Sequence, residues 1–209
     1  MNRNFQRFRD FAAQLTLLVS TPGIDEPRLI EEGESLLREL IAHDDWLPDE
    51  FAQASKDGYR QYLLHCDPLE RFSVASFVWG PGQTTPVHDH TVWGLVGVMR
   101  GEELCGEYAA PVPGAPMRKL GEHRIGVGAV DRVSPTIGDV HTVANALADR
   151  PSISIHVYGA NIGAVSRHVF DAATGTARPF VSGYHNAVMP NFWDRSTEVR
   201  AALAAHARP

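Results

Sequence analysis

Two histidines one residue apart, His88-Asp89-His90, and a lone His141 about fifty residues on are the positions of this chain best suited to hold a metal ion. In an extended strand, side chains two apart share a face, so His88 and His90 can grip one ion while Asp89 points the other way. His141, arriving from a distant strand, completes three ligands. Three imidazoles suit a divalent first-row metal and leave positions open for other groups. A second constellation lies in Ser152-Ile153-Ser154-Ile155-His156-Val157-Tyr158. Its apolar Ile153, Ile155 and Val157 alternate with Ser154, His156 and Tyr158, so the polar three line one face of one strand. Hydroxyl, imidazole and phenol in a row can form a hydrogen-bonded relay. A strand whose polar face simply meets solvent shows the same alternation.

The elements that must position these groups fall into a helical front, a β-rich body and a short helical tail. Phe5, Phe8, Phe11, Leu15 and Leu18 recur at helical spacing among Arg, Asp and Gln, which reads as an amphipathic helix rather than a cleaved signal. Glu26-Pro27 opens a second helical pattern carrying Leu29, Ile30, Leu36, Leu37, Leu40 and Ile41, with the proline in the first turn. Pro48-Asp49-Glu50 begins a third, shorter one. From Tyr59 onward the texture changes to short β-branched and aromatic runs broken by glycine and proline. Strands are predicted over 59–66, 72–79, 88–99, 103–109, 125–133, 141–144, 152–159 and 166–171, and a last helix over 196–205. So many short strands predict a mainly β fold, an antiparallel barrel or jelly roll. The apolar face of 152–158 then needs a cover, which the N-terminal helices can supply. The expected organisation is one domain over 1–209, with a helical extension at 1–58 packed on a barrel core at 59–171 and a C-terminal segment at 172–209.

Composition bounds the function. With 209 residues and 44% hydrophobic content, the chain can bury one sizeable core. A net charge of −6 argues against nucleic acid or an anionic membrane as the main partner. No apolar run approaches the ~20 residues of a membrane span, so cytosol is the expected location. Cys66 and Cys105 make neither a disulfide framework nor a CxxC pair, and two reduced thiols in or beside the barrel are expected.

The surroundings of the histidines carry a resemblance. Gly82 lies six residues before His88, and Pro135-Thr136-Ile137-Gly138-Asp139-Val140-His141-Thr142-Val143-Ala144-Asn145 forms a second block. Together they resemble the two conserved blocks of the cupins, small β-barrels that hold a metal in the barrel mouth. The usual cupin glutamate, four residues after the paired histidines, is Gly94 here. The second block also departs, with one extra residue between Gly128 and Pro135 and another between Pro135 and Gly138. Adding the Ser154, His156, Tyr158 row, roughly 59–171 resembles the thiol dioxygenase branch of the cupins, which includes cysteine dioxygenase. That resemblance implies Fe(II) held by three histidines without a carboxylate, and conversion of a thiol and O2 into a sulfinic acid. It places His88, His90 and His141 at the iron, and Ser154, His156 and Tyr158 beside it.

The same resemblance bears on substrate. In mammalian-type cysteine dioxygenases an arginine two residues after a tyrosine in the first barrel strand binds the substrate carboxylate. In Tyr59-Arg60-Gln61-Tyr62 that position is Gln61, and Arg60 should face the other way. Glutamine there marks the bacterial branch resembling 3-mercaptopropionate dioxygenase, where a different arginine takes the carboxylate. Arg167, alternating with Val165 and Val169, is the candidate. On an apolar face its charge needs a partner, either a substrate carboxylate or an internal Asp or Glu. Mammalian-type enzymes also carry, where Gly94 stands, a cysteine that forms a thioether with the catalytic tyrosine, so Tyr158 is expected unmodified. Trp93 fits either a pocket wall or the core. His43, His65, His123, His168, His185 and His206 lack metal spacing and read as surface or structural histidines. Three expectations result: a dioxygenase preferring 3-mercaptopropionate, one preferring L-cysteine, and a noncatalytic cupin that binds a small acid or a metal.

Overall fold

A computed structural model describes residues 4–206; residues 1–3 and 207–209 of the expected 1–209 domain lie outside the described residues. Helix α1 spans Phe5–Val19 and α2 spans Glu26–Ile41. Asp25 caps α2, its side chain accepting a hydrogen bond from Arg28 N at 3.0 Å, and Pro27 occupies the first turn, where no backbone donor is needed. The third helical pattern forms only a 3-10 turn, Asp49–Phe51. Eleven strands follow: β1 (Arg60–Cys66), β2 (Ser73–Trp79), β3 (Val87–His88), β4 (Gly94–Arg100), β5 (Glu102–Tyr108), β6 (Lys119–Gly126), β7 (Val130–Val133), β8 (His141–Asn145), β9 (Ser152–Tyr158), β10 (Arg167–Phe170) and β11 (Ala177–Phe180). Helix α3, Ser196–His206, ends the described chain.

The strands form two antiparallel sheets, in the orders β1-β2-β9-β4-β7 and β11-β10-β3-β8-β5-β6. The predicted jelly roll is present. β9, with a hydrogen-bonded neighbour on each side, sends Ile153, Ile155 and Val157 to the outer face of its sheet. There they join one buried cluster with Phe8, Phe11 and Leu15 of α1 and Leu37 and Ile41 of α2. The helices are therefore the cover that the alternation of β9 demanded. Burying each such side chain contributes about 1.5–3 kcal/mol, which fixes the inward direction of the polar row. Trp93 packs against this outer cluster and not in the pocket described below.

Two expected strands are each divided in two, and one strand is added. The predicted strand 88–99 is two strands, β3 and β4, because the chain breaks at 89–93. Thr91 there adopts φ +62°, and the Asp139 carboxylate accepts the backbone N–H groups of His90 and Thr91 at 2.9–3.0 Å. The predicted strand 125–133 is also two, β6 and β7, separated by a turn at Gly128, whose φ of +82° suits glycine. β11 was not anticipated. It is a short, largely exposed edge strand containing Pro179, and a proline is tolerated where no neighbour requires its donor. Among the described residues no helix is long and apolar enough to cross a membrane.

Candidate metal centre and relay

His88 and His141 face each other directly across the β3–β8 ladder. His90 lies just past the end of β3, where the backbone break turns it back toward the pair. The three rings sit 4.8–4.9 Å apart, centroid to centroid, and one donor nitrogen from each lies within 4.8 Å of the others. Asp89 points away, as the alternation predicts, and binds His168 through its backbone N at 2.7 Å and its Nδ1 at 2.9 Å.

The Nδ1 atom of each histidine is already engaged. That of His88 lies 3.1 Å from Pro86 O, that of His90 2.9 Å from Asp139 Oδ1, and that of His141 3.6 Å from Cys105 Sγ. The carbonyl and carboxylate acceptors fix the tautomers of His88 and His90, and with the Cys105 sulfur accepting from His141 Nδ1–H all three Nε2 lone pairs are left for a shared ion. Burial, reinforced by the neighbouring imidazoles, holds His88 and His141 well below the usual histidine range, so both are neutral and able to ligate near pH 7. The residues thus fit a borderline divalent metal, through three neutral nitrogens and no charged ligand.

Asp139 was not singled out from the sequence, although a carboxylate two residues before a ligand histidine is a recognisable orienting group. Replacing it by alanine is expected to weaken metal binding by about 10–100-fold, read by competition with a chromophoric chelator. An unchanged affinity would show that His90 is oriented without it. A further group of metal-ligand types, Cys105, His123 and Asp131, also converges. Its His123 Nε2 and Asp131 Oδ2 are 2.6 Å apart, a hydrogen bond between the two atoms that would otherwise ligate.

The polar row of β9 faces inward. Ser154, His156 and Tyr158 are all buried, which excludes the solvent-facing alternative. Ser154 Oγ lies 2.8 Å from His156 Nε2, and His156 Nδ1 lies 2.8 Å from Tyr158 Oη. His156 stacks on Phe77 at 3.9 Å, and Tyr158 on His90 at 5.2 Å, which ties the relay to the metal centre. Burial pushes the His156 pKa well down and the Tyr158 pKa up, so the relay is an uncharged imidazole and a protonated phenol. Gly94 of β4 pairs with Tyr158 across the ladder, where a Cβ would meet the ring at 2.6 Å.

One cavity of about 150 Å³ between the sheets joins the expected site residues. His88, His141, His156, Tyr158, Gln61 and Arg167 all line it, with aromatic walls from Tyr59, Phe77, Trp79 and Phe180. Arg167 is 4% exposed, lies 4.6 Å over the Phe180 ring and donates from Nη2 to Ser182 Oγ at 2.8 Å. Its Nε and the Nε2 of Gln61 are buried without partners. No acidic side chain lines the cavity and, among the described residues, none pairs with Arg167, so the internal-carboxylate alternative is absent. Ser182, in the C-terminal segment, carried no signal in the sequence. Cys66 and Cys105 are both free thiols.

Fold and site together define a cupin whose candidate metal-binding group is three histidines without a carboxylate. The family model described as Cysteine dioxygenase type I matches residues 35–171, and the chain belongs to that family. A curated relative, "Cysteine dioxygenase type 1" of Danio rerio, is 23% identical over 173 residues, 81% of this chain and 79% of the relative. Among solved structures, a conserved protein with a double-stranded β-helix domain from Klebsiella pneumoniae is 20% identical with a TM-score of 0.42. That match covers 57% of this chain and 93% of the other. An oxalate oxidase in complex with glycolate matches at 18% identity and TM-score 0.42, over 68% of this chain and 63% of the other.

Proposed function

We propose that the protein is an Fe(II)-dependent thiol dioxygenase acting on a small carboxylate-bearing thiol, 3-mercaptopropionate in preference to L-cysteine. The observation that carries this reading is Arg167, a buried guanidinium with no internal counterion among the described residues, in the same small cavity as His88, His141, His156 and Tyr158. A buried cation without a partner is costly, and a substrate carboxylate would satisfy it.

The reaction balances without a further reductant: RSH and O2 give RSO2H, with sulfur losing four electrons and both oxygen atoms ending on it. His88, His90 and His141 would hold the iron(II), which would supply the one-electron chemistry that lets a thiol and O2 combine. The chain's own groups do the rest. Arg167 takes the carboxylate, and the free Nε2 of Gln61 offers it a second donor. With the carboxylate anchored, the thiol is directed at the histidine face of the cavity, where positioning replaces a diffusional encounter. Tyr158, held by His156 and Ser154, presents its hydroxyl to the reacting sulfur and oxygen. The aromatic walls exclude water.

L-cysteine has the same skeleton with an added ammonium. The cavity lining holds no carboxylate to receive that charge, and Arg167 would repel it. This favours the substrate without an amine. The description of the matching family and the name of the zebrafish relative favour cysteine instead. Protein loaded anaerobically with Fe(II) separates the readings through O2 uptake and sulfinate formation with both thiols. One O2 per sulfinate, with the higher kcat/KM for 3-mercaptopropionate, is expected. Cysteine as the better substrate would overturn the role given to Arg167 and Gln61, and no uptake with either would leave a noncatalytic binding protein.

A further inference from the structure

Glu103 of β5 is fully buried, and neither of its carboxyl oxygens has a hydrogen-bond partner within good geometry. The Ser152 hydroxyl beside it is also buried without a partner. Ser152 and Ser154 of β9 are the hydroxyls that bear on this carboxyl, although neither meets it in hydrogen-bond geometry in the resting structure. Glu103 therefore stands at the far end of the Ser154, His156, Tyr158 row. Of the elements around it, β7 brings Asp131 and its own strand brings Cys105, while Tyr158 feels its charge from along the row. Its ladder neighbours are Asn145 of β8 and Ile125 of β6. The Asn145 amide donates to the backbone oxygens of Trp79 and Arg150, and so is committed elsewhere. Among the described residues no basic side chain forms a hydrogen bond or an ion pair with Glu103.

We propose that Glu103 is a fourth member of the relay, a positioning residue whose protonation sets the direction in which the hydrogen bonds of Ser154, His156 and Tyr158 run. This deepens the dioxygenase reading and rests on it for its effect on turnover.

A neutral imidazole carries one N–H, so the row has only two polarities. When Glu103 is a neutral acid it donates to Ser154 Oγ, Ser154 donates to His156 Nε2, and Nδ1–H donates to the Tyr158 oxygen. The phenol hydrogen is then free to point into the cavity. When Glu103 is a carboxylate it accepts from Ser154, Ser154 accepts from Nε2–H, and Nδ1 accepts the phenol hydrogen. Tyr158 then has nothing to donate to the substrate. Trp79 Nε1 donates to Ser154 Oγ at 3.3 Å, and in either polarity the hydroxyl has one donor and two acceptor roles filled. Burial pushes the Glu103 pKa up to about 8, with Asp131 adding to the rise, so the acid form prevails below that pH and the carboxylate above it.

The test reads the tautomer of His156 directly, by the 15N shifts of its ring in the full chain loaded with diamagnetic zinc(II). The proton is expected on Nδ1 at pH 7 and on Nε2 at pH 9, and no such exchange is expected in Glu103→Gln, whose amide takes no charge. In the Fe(II) enzyme, turnover of 3-mercaptopropionate should fall about tenfold from pH 7 to pH 9 as one group near 8 ionises, and Glu103→Gln should lose that fall. A parent protein whose His156 tautomer stays fixed across this range would overturn the proposal without need of any variant. Exchange that persists in Glu103→Gln would overturn it too. A tautomer exchange that depends on Glu103, in a protein that oxidises no thiol, would uphold the relay and refute the dioxygenase reading.

Discussion

Arg167→Leu is expected to reduce kcat/KM for 3-mercaptopropionate by about 30- to 4,000-fold, the range for removing one partner of a buried, hydrogen-bonded charge pair worth about 2–5 kcal/mol. Most of the loss should fall on KM, since the guanidinium contacts the carboxylate and not the reacting sulfur. Arg167→Lys should recover only part of it, because a point charge cannot reproduce the planar fork. A thiol of similar size without a carboxylate is the control, and its slow turnover should not change with Arg167→Leu. Folding should survive the change. Among the described residues Arg167 has only the Ser182 hydroxyl and the Phe180 ring as partners in the free protein, so leucine removes a desolvated charge and costs little packing. Steady-state kinetics with both thiols and a thermal melt decide the matter. An unchanged KM would mean that the acid group binds elsewhere.

The second large effect concerns Gly94→Ala. The added methyl would sit 2.6 Å from Tyr158 Cδ1, 2.8 Å from Cε1 and 2.9 Å from Val133 Cγ2, nearer than packed carbons approach. Either strand or ring must move, at about 1–3 kcal/mol of stability. The ring carries the relay's terminal hydroxyl, and a displacement of about 1 Å there can cost on the order of 100-fold in kcat. Gly97→Ala, three residues along β4, is the internal control. Its methyl would meet Ile41 and Leu37 of α2 on the outer face, at 2.9 and 3.1 Å. It should lower the melting temperature while leaving kcat in place. Equal kcat losses in both variants would show that loosening of the fold, and not the position of Tyr158, limits turnover. At Gly94 the Tyr158 ring itself occupies the space a side chain would fill.

Much of this was legible because it rests on periodicity. The alternation of β9 told which residues share a face, burial then showed that the polar face is the inward one, and the helical spacing of Phe8, Phe11 and Leu15 offered a cover for the other side. The spacing of His88, His90 and His141 told which imidazoles meet. What escaped was set by contacts distant in sequence. The break between β3 and β4 depends on the Asp139 carboxylate, nearly fifty positions away, capturing two backbone donors. β6 was misplaced because most of its residues are exposed or half-exposed, so no face stands out. Glu103 was placed in sequence only at the start of a predicted strand, and its burial is what separates it from Glu102. Ser182 lies in a segment without periodicity, so its hydrogen bond to Arg167 had no local sign.

The two halves of the cavity are anchored unequally. The relay sits on β9, the central strand of its sheet, bonded on both sides and backed by two helices. Arg167 sits on β10, one strand from the open edge formed by the short, exposed β11. Substitutions near that edge meet little of the core and are cheap, whereas those around β9 disturb the whole packing. Such a division of labour makes the scaffold evolvable: selection can retune what the cavity admits by working at the margin, while the buried row on β9 is inherited intact.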